Sequence, residues 1–170
     1  MSKDEFLFLI PGVMFGMAVF DLISLLRSKK YYWESLLWGV LMFFSLLSIV
    51  YRLFDDLILL TSNLGYYTLF IFSPLFFVQA SYSLTPKNEN DNMNDLFHSN
   101  RKAFFGSVSG VLLINFIIQY FITHRVEPIQ HVLLVLLIAS NMFFNKLYLR
   151  IVASGMVCFS ILLDYWELAL

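Results

Sequence analysis

The chain has 170 residues, of which 59% are hydrophobic and 14% are charged, and its formal net charge is −1. Soluble domains contain about 45–50% apolar and about 25% charged residues, so this composition excludes an ordinary soluble domain and requires surface that faces lipid. The near-neutral charge gives no electrostatic reason for a nucleic-acid partner, and the single cysteine, Cys158, excludes an intrachain disulfide and a cysteine-rich metal site. We therefore predict an all-α integral membrane protein whose first partner is the lipid bilayer.

Three apolar stretches in the first half of the chain predict membrane-spanning helices. A helix needs about 20 apolar residues to cross a hydrocarbon core of about 30 Å. Residues 6–26, 33–51 and 57–80 meet this requirement, and the third stretch has irregular points at Asn63, Gly65 and the Ser73-Pro74 pair. We assign residues 1–80 to transmembrane helices 1–3.

The long polar run at residues 81–103 separates this half from the next. It contains five asparagines and few apolar residues, so it predicts a loop that is mobile at least through Asp95. Apolar stretches follow at residues 104–122, 129–144 and 147–163, and the last two are short enough to predict a tight helical hairpin. The expected fold is a bundle of about six transmembrane helices, three before and three after the loop, with residues 104–170 forming helices 4–6.

The distribution of basic residues predicts the orientation of this bundle. Alternating spans place 8 of the 11 Lys and Arg residues on the side of the 81–103 loop and the other 3 on the opposite side. By the positive-inside rule the loop is cytoplasmic, and both termini are extracytoplasmic. On the cytoplasmic side we expect contacts with lipid headgroups or a partner from Arg27, Lys29, Lys30, Arg101, Lys102 and Arg150.

Polar residues inside the predicted spans are candidates for an ion or proton pathway. Asp21 is the only acidic residue well inside a span, where a carboxylate is costly unless it pairs, faces water or reaches the headgroups. Asn115 and Gln119 are four residues apart and share one helix face. Such side chains either join helices by hydrogen bonds or line a hydrated path. The candidate pathway residues are Asp21, Asn63, Asn115, Gln119 and Asn141.

Small residues in the fourth span predict a close helix contact. Gly106 and Gly110 follow the small-xxx-small spacing, which serves packing within a bundle or dimerisation.

Charged residues on the predicted outer side form a rim. Arg52 precedes Asp55 and Asp56 at spacings that favour a surface ion pair of little energetic value. His131 lies near the turn before the fifth span, and the simplest interpretation of the whole group is a solvated rim rather than a metal site.

Three functions are compatible with these patterns. The first is a non-catalytic membrane subunit or sensor module that binds a membrane-protein partner or its own copies. The second is a small cation- or proton-coupled transporter or channel that uses Asp21 and the polar residues of helices 3–5. The third is an intramembrane enzyme, although we identify no catalytic residues, no metal ligands and no cofactor signature in the sequence.

Overall fold

A computed structural model describes residues 3–27, 30–88, 90–122 and 128–169, and it confirms the all-α class for these ranges. A 3-10 turn, Leu25–Arg27, follows the first helix, and a π-helical turn, Ile118–Ile122, follows the fourth. The six α-helices in the described ranges are α1 (Lys3–Ser24), α2 (Trp33–Ser62), α3 (Leu64–Leu84), α4 (Met93–Ile117), α5 (Pro128–Phe143) and α6 (Leu147–Ala169).

Four of these helical segments are long and apolar enough to cross a membrane. They are Leu7–Ser24, Trp33–Arg52, Leu64–Leu84 and Met93–Ile122, whereas the apolar parts of the last two helices, Ile129–Phe143 and Leu147–Leu163, are shorter. The predicted membrane-type character is therefore confirmed for four helices, by their length and composition.

The helices form a bundle in which α3 is central. The most extensive interface joins α3 to α4, and these helices are antiparallel. The side-chain nitrogen of Asn100 donates to the carbonyl of Ser83 at 3.1 Å. Ser73, earlier in α3, lies beside Asn115, later in α4. Helix α1 is parallel to α3, with the Tyr67 hydroxyl donating to the Leu7 carbonyl at 2.7 Å. We call the end that contains the 85–92 connection the loop end, and the opposite end the far end.

An aromatic cluster fills the core at the loop end. Trp38, Phe97, Phe104 and Phe105 are each no more than 1% exposed. The ring centroids of Trp38 and Phe105 are 5.2 Å apart, and those of Phe104 and Phe105 are 5.0 Å apart, both in edge-to-face geometry. Such pairs add about 0.5–1.5 kcal/mol each to the energy of burial, so the cluster fixes α4 against α2.

The boundary between the second and third helices differs from the prediction. We expected spans at 33–51 and 57–80, but α2 continues through Arg52 and Asp56 to Ser62. The helix then breaks at Asn63, whose side-chain oxygen caps α3 by accepting from the backbone nitrogen of Gly65 at 2.7 Å. Hydropathy marks where a helix leaves the bilayer, and it does not mark where the helix ends.

The prediction of a loop over residues 81–103 is wrong at both ends. Helix α3 extends to Leu84 and α4 begins at Met93, so the connection covers residues 85–92. Asn92 caps α4 by accepting from the nitrogen of Asn94, and its amide donates to Asp95. The side chains of Met93 and Phe97 are then buried, which explains why this polar segment is helical.

The short connection is organised by one carboxylate. Asp91 accepts from the backbone nitrogens of Lys87 and Asn88, at 2.9 Å in each case. The hydrogen bond from Asn88 is the main reason why the pKa of Asp91 is below its usual value. The carboxylate closes the connection as a compact turn.

The glycine pair of α4 packs inside the bundle. A Cβ at Gly110 would lie 3.0 Å from the Phe76 ring of α3, and one at Gly106 would lie 3.2 Å from the end of the Met142 side chain of α5. In this structure both glycines therefore serve helix packing within the chain.

A larger side chain at Gly110 should destabilise the bundle. We expect Gly110→Leu to lower the free energy of unfolding in detergent by about 1–3 kcal/mol, because the added atoms meet the Phe76 ring. Gly16→Leu is the matched control, since a Cβ there meets nothing within 4 Å. Equal unfolding free energies for the two variants would contradict this packing.

Candidate functional site

Asp21 occupies the seam between α1 and α3 near the loop end. Its carboxylate accepts from the Ser81 hydroxyl at 3.2 Å, and its backbone carbonyl accepts from Ser24 at 2.6 Å and from Thr85 at 3.4 Å. Ser81 is fully buried, so this contact joins the two helices inside the protein. The arrangement accounts for an acidic residue at this depth by helix-to-helix hydrogen bonding.

Two other predicted pathway residues have local roles. Asn63 is exposed at the α2–α3 break and caps α3. Asn141 is fully buried in α5, and its amide nitrogen donates to the carbonyl of Leu137 at 2.9 Å.

The remaining two, Asn115 and Gln119, line a polar cavity of about 80 Å³. Arg52 of α2 and His131 of α5 share its wall, so four polar residues from three helical regions meet there. The full lining is Ser45, Ser48, Ile49, Arg52, Leu112, Asn115, Gln119, His131, Leu134, Val157, Ser160 and Ile161.

Helical spacing aims these side chains at the same point. Ser45, Ser48 and Arg52 are three and four residues apart, so they share one face of α2. Gln119 belongs to the π-helical turn, a rare local geometry that occurs frequently at functional sites. His131, also in the lining, is stacked on Phe116, with ring centroids 6.2 Å apart and planes 22° apart.

Two further cavities share lining residues with this one. Ser48 also borders a wider cleft of about 370 Å³ that is lined by Leu47, Tyr51 and Tyr165. Toward the loop end, Ser45 borders an apolar cavity of about 40 Å³ that reaches Trp38. Beyond Trp38 the helices close on a site that includes Glu34 and Arg150 and has no internal volume.

The closed site is a buried ion pair between α2 and α6. The Arg150 Nε and Glu34 Oε2 atoms are 2.6 Å apart, and Arg150 Nη2 donates to Glu34 Oε1 at 3.2 Å. Arg150 Nη1 also donates to the side-chain oxygen of Asn145 at 2.7 Å, and the Tyr32 hydroxyl donates to Glu34. The two charged side chains are 6% and 3% exposed. This two-pronged geometry uses the planar fork of the guanidinium.

Tyr32 completes the network outside the apolar spans. Burial is the main cause that raises its pKa to about 12, and the hydrogen bond to Glu34 adds to the shift. The phenol therefore remains a donor throughout the physiological pH range.

The expected role of Arg150 in lipid or partner contacts is corrected by this pairing, because its side chain faces Glu34 inside the bundle. Among the other basic residues, Lys30 and Lys102 are exposed and Arg101 is half-buried. The side chain of Arg27 and the whole of Lys29 lie outside the described residues.

Sequence reasoning did not identify Glu34, Arg52 or His131 as interior groups. The signal for Arg52 was present, since two serines precede it at helical spacing on α2. For Glu34 and Arg150, the sequence shows no sign of the pairing, because 116 residues separate them.

No group of three or more metal-binding side chains occurs in the ranges that the structure describes. No protein-family model, curated protein or solved structure matches this chain. The fold and the cavity define the class as an all-helical bundle of membrane type with a polar cavity between its helices.

The buried ion pair should respond differently to single and double substitution. We expect Glu34→Leu to lower the free energy of unfolding by about 3–5 kcal/mol, because it leaves the Arg150 charge buried without its carboxylate. Glu34→Leu combined with Arg150→Met should recover most of this loss, as measured by chemical unfolding in detergent micelles. A double variant whose destabilisation equals the sum of the single losses would show that the pair is not a coupled unit.

Tyr32 should make stability depend on alkaline pH. The unfolded phenol titrates near pH 10.0 and the folded one near 12, so the unfolded state loses its proton first and stability falls as the pH rises through this window. We expect Tyr32→Phe to have a shallower decline in unfolding free energy over the same range. Identical slopes for the two proteins would contradict the raised pKa.

Proposed function

We propose that the protein is a multi-pass membrane protein that admits a small polar solute to the cavity between α2, α4, α5 and α6, as small transporters and channels do. The observation that carries this proposal is the convergence of Arg52, Asn115, Gln119 and His131 on one cavity in a bundle of apolar helices. Polar and charged groups at membrane depth are costly, and where they face a shared cavity they mark a substrate or ion path.

The proposal includes six membrane crossings. Helix α5, at 16 residues, is about 24 Å long and α6, at 23 residues, is about 35 Å long, so this hairpin spans a bilayer with slight thinning beside α5. Helices α2 and α6 are parallel, since Glu34 pairs with Arg150 and Phe44 packs against Tyr165. Alternating crossings follow from this arrangement.

The proposed orientation places the loop end in the cytoplasm and both termini on the other side. The support is the positive-inside rule applied to the basic residues near the loop end. Those within the described ranges are Lys30, Lys87, Arg101, Lys102, Lys146 and Arg150.

The proposed path runs along α2 from the far end toward the loop end. A solute would enter the cleft beside Tyr51, bind in the polar cavity beyond Ser48 and meet the apolar cavity at Trp38. The Glu34–Arg150 pair closes the inner end, and passage requires that it separate. A path that is open at one end and closed at the other is what alternating access requires.

This path uses different residues from the cation pathway that the sequence suggests. Asn115 and Gln119 remain in it, while Arg52 and His131 take the place of Asp21. The charge in the cavity wall is therefore positive rather than negative, and a cation-coupled mechanism that depends on Asp21 receives no support from the cavity.

The second candidate function is a sensor module or membrane subunit that binds the solute without passing it on. The closed inner end favours this candidate, because Glu34 and Arg150 are in direct contact there, with Nε and Oε2 2.6 Å apart. In that case solute binding would be reported to a membrane-protein partner or to a second copy of the chain. Flux of the bound solute in proteoliposomes separates the two functions, since only a transporter or channel passes it across the bilayer.

The proposal is tested by the water accessibility of the cavity. In a Cys158→Ala background, we expect Ser48→Cys and Ser160→Cys to react with a membrane-impermeant thiosulfonate that is added on the far side, because both positions line the polar cavity. Labelling is followed by the mass shift of the protein in sealed vesicles of known orientation.

Ser154→Cys is the matched control on the same helix. Ser154 borders the closed site beside the Glu34–Arg150 pair and does not line the polar cavity, so we expect it to stay unlabelled under the same conditions. If the cysteines at positions 48 and 160 are as unreactive as the one at position 154 from both sides, the cavity is not a hydrated site and the proposed function is wrong.

A further inference from the structure

We infer that the polar cavity binds a small anion through the side chain of Arg52, an inference that rests on the proposed function and names the class of its solute. The cavity lies among helices that are apolar enough to cross a membrane, where the low dielectric strengthens the interaction of any charge with its neighbours. The charge of the wall therefore determines which solutes enter.

The wall has one fixed charge, and it is positive. Of the cavity-lining side chains in the described ranges, Arg52 is the one with a permanent charge, and the others are amides, hydroxyls, an imidazole and apolar groups. His131 adds a positive charge when it is protonated and a donor when it is neutral. No carboxylate belongs to this lining, so a cation would meet repulsion without a compensating partner.

Asp56 is the acidic residue with a described side chain that is nearest to Arg52 along α2. It lies four residues further on, a spacing at which side chains on a helix are neighbours. A guanidinium has five N–H donors in a planar fork, so a carboxylate on one edge leaves donors for a second acceptor. Asp56 therefore lowers the affinity of Arg52 for an anion in the cavity, but a guanidinium that contacts one carboxylate can still bind a second acceptor.

Neutral donors complete the site. The side-chain oxygen of Asn115 is directed toward the Ser73 hydroxyl at 3.5 Å, which leaves its NH₂ group as the donor part of the amide. Gln119, one helical turn further along, borders the same space from the π-helical turn. Amide and hydroxyl donors around an arginine are the usual surroundings of a bound carboxylate or oxyanion.

The volume limits the size of the anion. Pockets for drug-sized ligands enclose about 300–1,000 Å³. The polar cavity encloses about 80 Å³, and the adjoining inner cavity, at about 40 Å³, is mainly apolar and reaches Phe77 and Trp38. A nucleotide or a sugar phosphate does not fit, whereas formate, nitrate or a halide does.

The inference is tested by binding of radiolabelled formate to the purified full-length protein in a scintillation proximity assay. We expect saturable binding that unlabelled nitrate displaces and that gluconate, which is too large for the cavity, does not displace. Replacing sodium by choline should leave binding unchanged, because the inferred solute is the anion.

Variants of α2 localise the binding site. We expect Arg52→Gln to weaken formate binding at least about tenfold, because a charge-assisted hydrogen bond is lost. Asp56→Asn should strengthen binding by about two- to fivefold, since a nearby negative charge is removed. Arg52→Lys keeps the charge without the fork and should give an intermediate affinity, which keeps the test decisive if Arg52→Gln does not fold.

Formate binding that is absent in the wild-type protein, or that is unchanged in Arg52→Gln and Asp56→Asn, would overturn the anion site. If the cysteines at positions 48 and 160 are nevertheless reactive, the proposed function stands and only the solute class is wrong. Unreactive cysteines together with absent binding would remove both proposals.

Discussion

The Glu34–Arg150 ion pair is the interaction on which the arrangement of α2 and α6 depends. Each charge would cost several kcal/mol to bury alone, and their two-pronged contact offsets this cost only while both helices hold their positions. The pair therefore specifies which helix faces lie together and in which register. Arg150 also donates to Asn145, and the Tyr32 hydroxyl donates to Glu34, so four side chains form one network at this end of the bundle.

This register also determines the shape of the interior. With α2 and α6 joined at the loop end, Trp38 of α2 packs against the α4 aromatics, and the space between the helices is filled there. Arg52 is 18 residues beyond Glu34, or about 27 Å along the helix, and there the helices enclose a cavity instead. The same helix thus has a closed, ion-paired end and an end that borders polar space.

The all-helical class and the approximate positions of the helices could be predicted from hydropathy, because each helix that crosses a bilayer must satisfy its backbone internally and present apolar side chains. Helix ends could not, as α2 shows: charged residues at Arg52 and Asp56 lie within the helix, and a cap at Asn63 ends it. The start of α4 had a readable signal, since Asn92 is a favoured N-cap residue and the acidic Asp95 follows in the first turn.

The candidate site was predictable only in part. Asn115 and Gln119 share a helix face by their spacing, and both line the cavity. Their neighbours Arg52 and His131 come from other helices, and the sequence contains no information on which faces of different helices converge. Asp21 is the opposite case. The sequence marks it as a candidate because an acidic residue inside a span is rare. In the structure its hydrogen bonds with Ser81 and Thr85 join α1 to α3.

The lengths of the helices explain why a polar cavity at the far end is compatible with a bilayer. The apolar part of α2, Trp33–Arg52, is 20 residues or about 30 Å long, which equals the hydrocarbon thickness and places Arg52 at its far boundary. In the proposed arrangement with six crossings, α5 has 16 residues, or about 24 Å, so it would leave about 6 Å of that thickness uncovered. Lipid thins or water enters beside such a helix. In that arrangement Arg52 and His131, which line the same cavity, would lie at a depth where the short helix lets water approach, and the charge would be retained without full transfer into hydrocarbon.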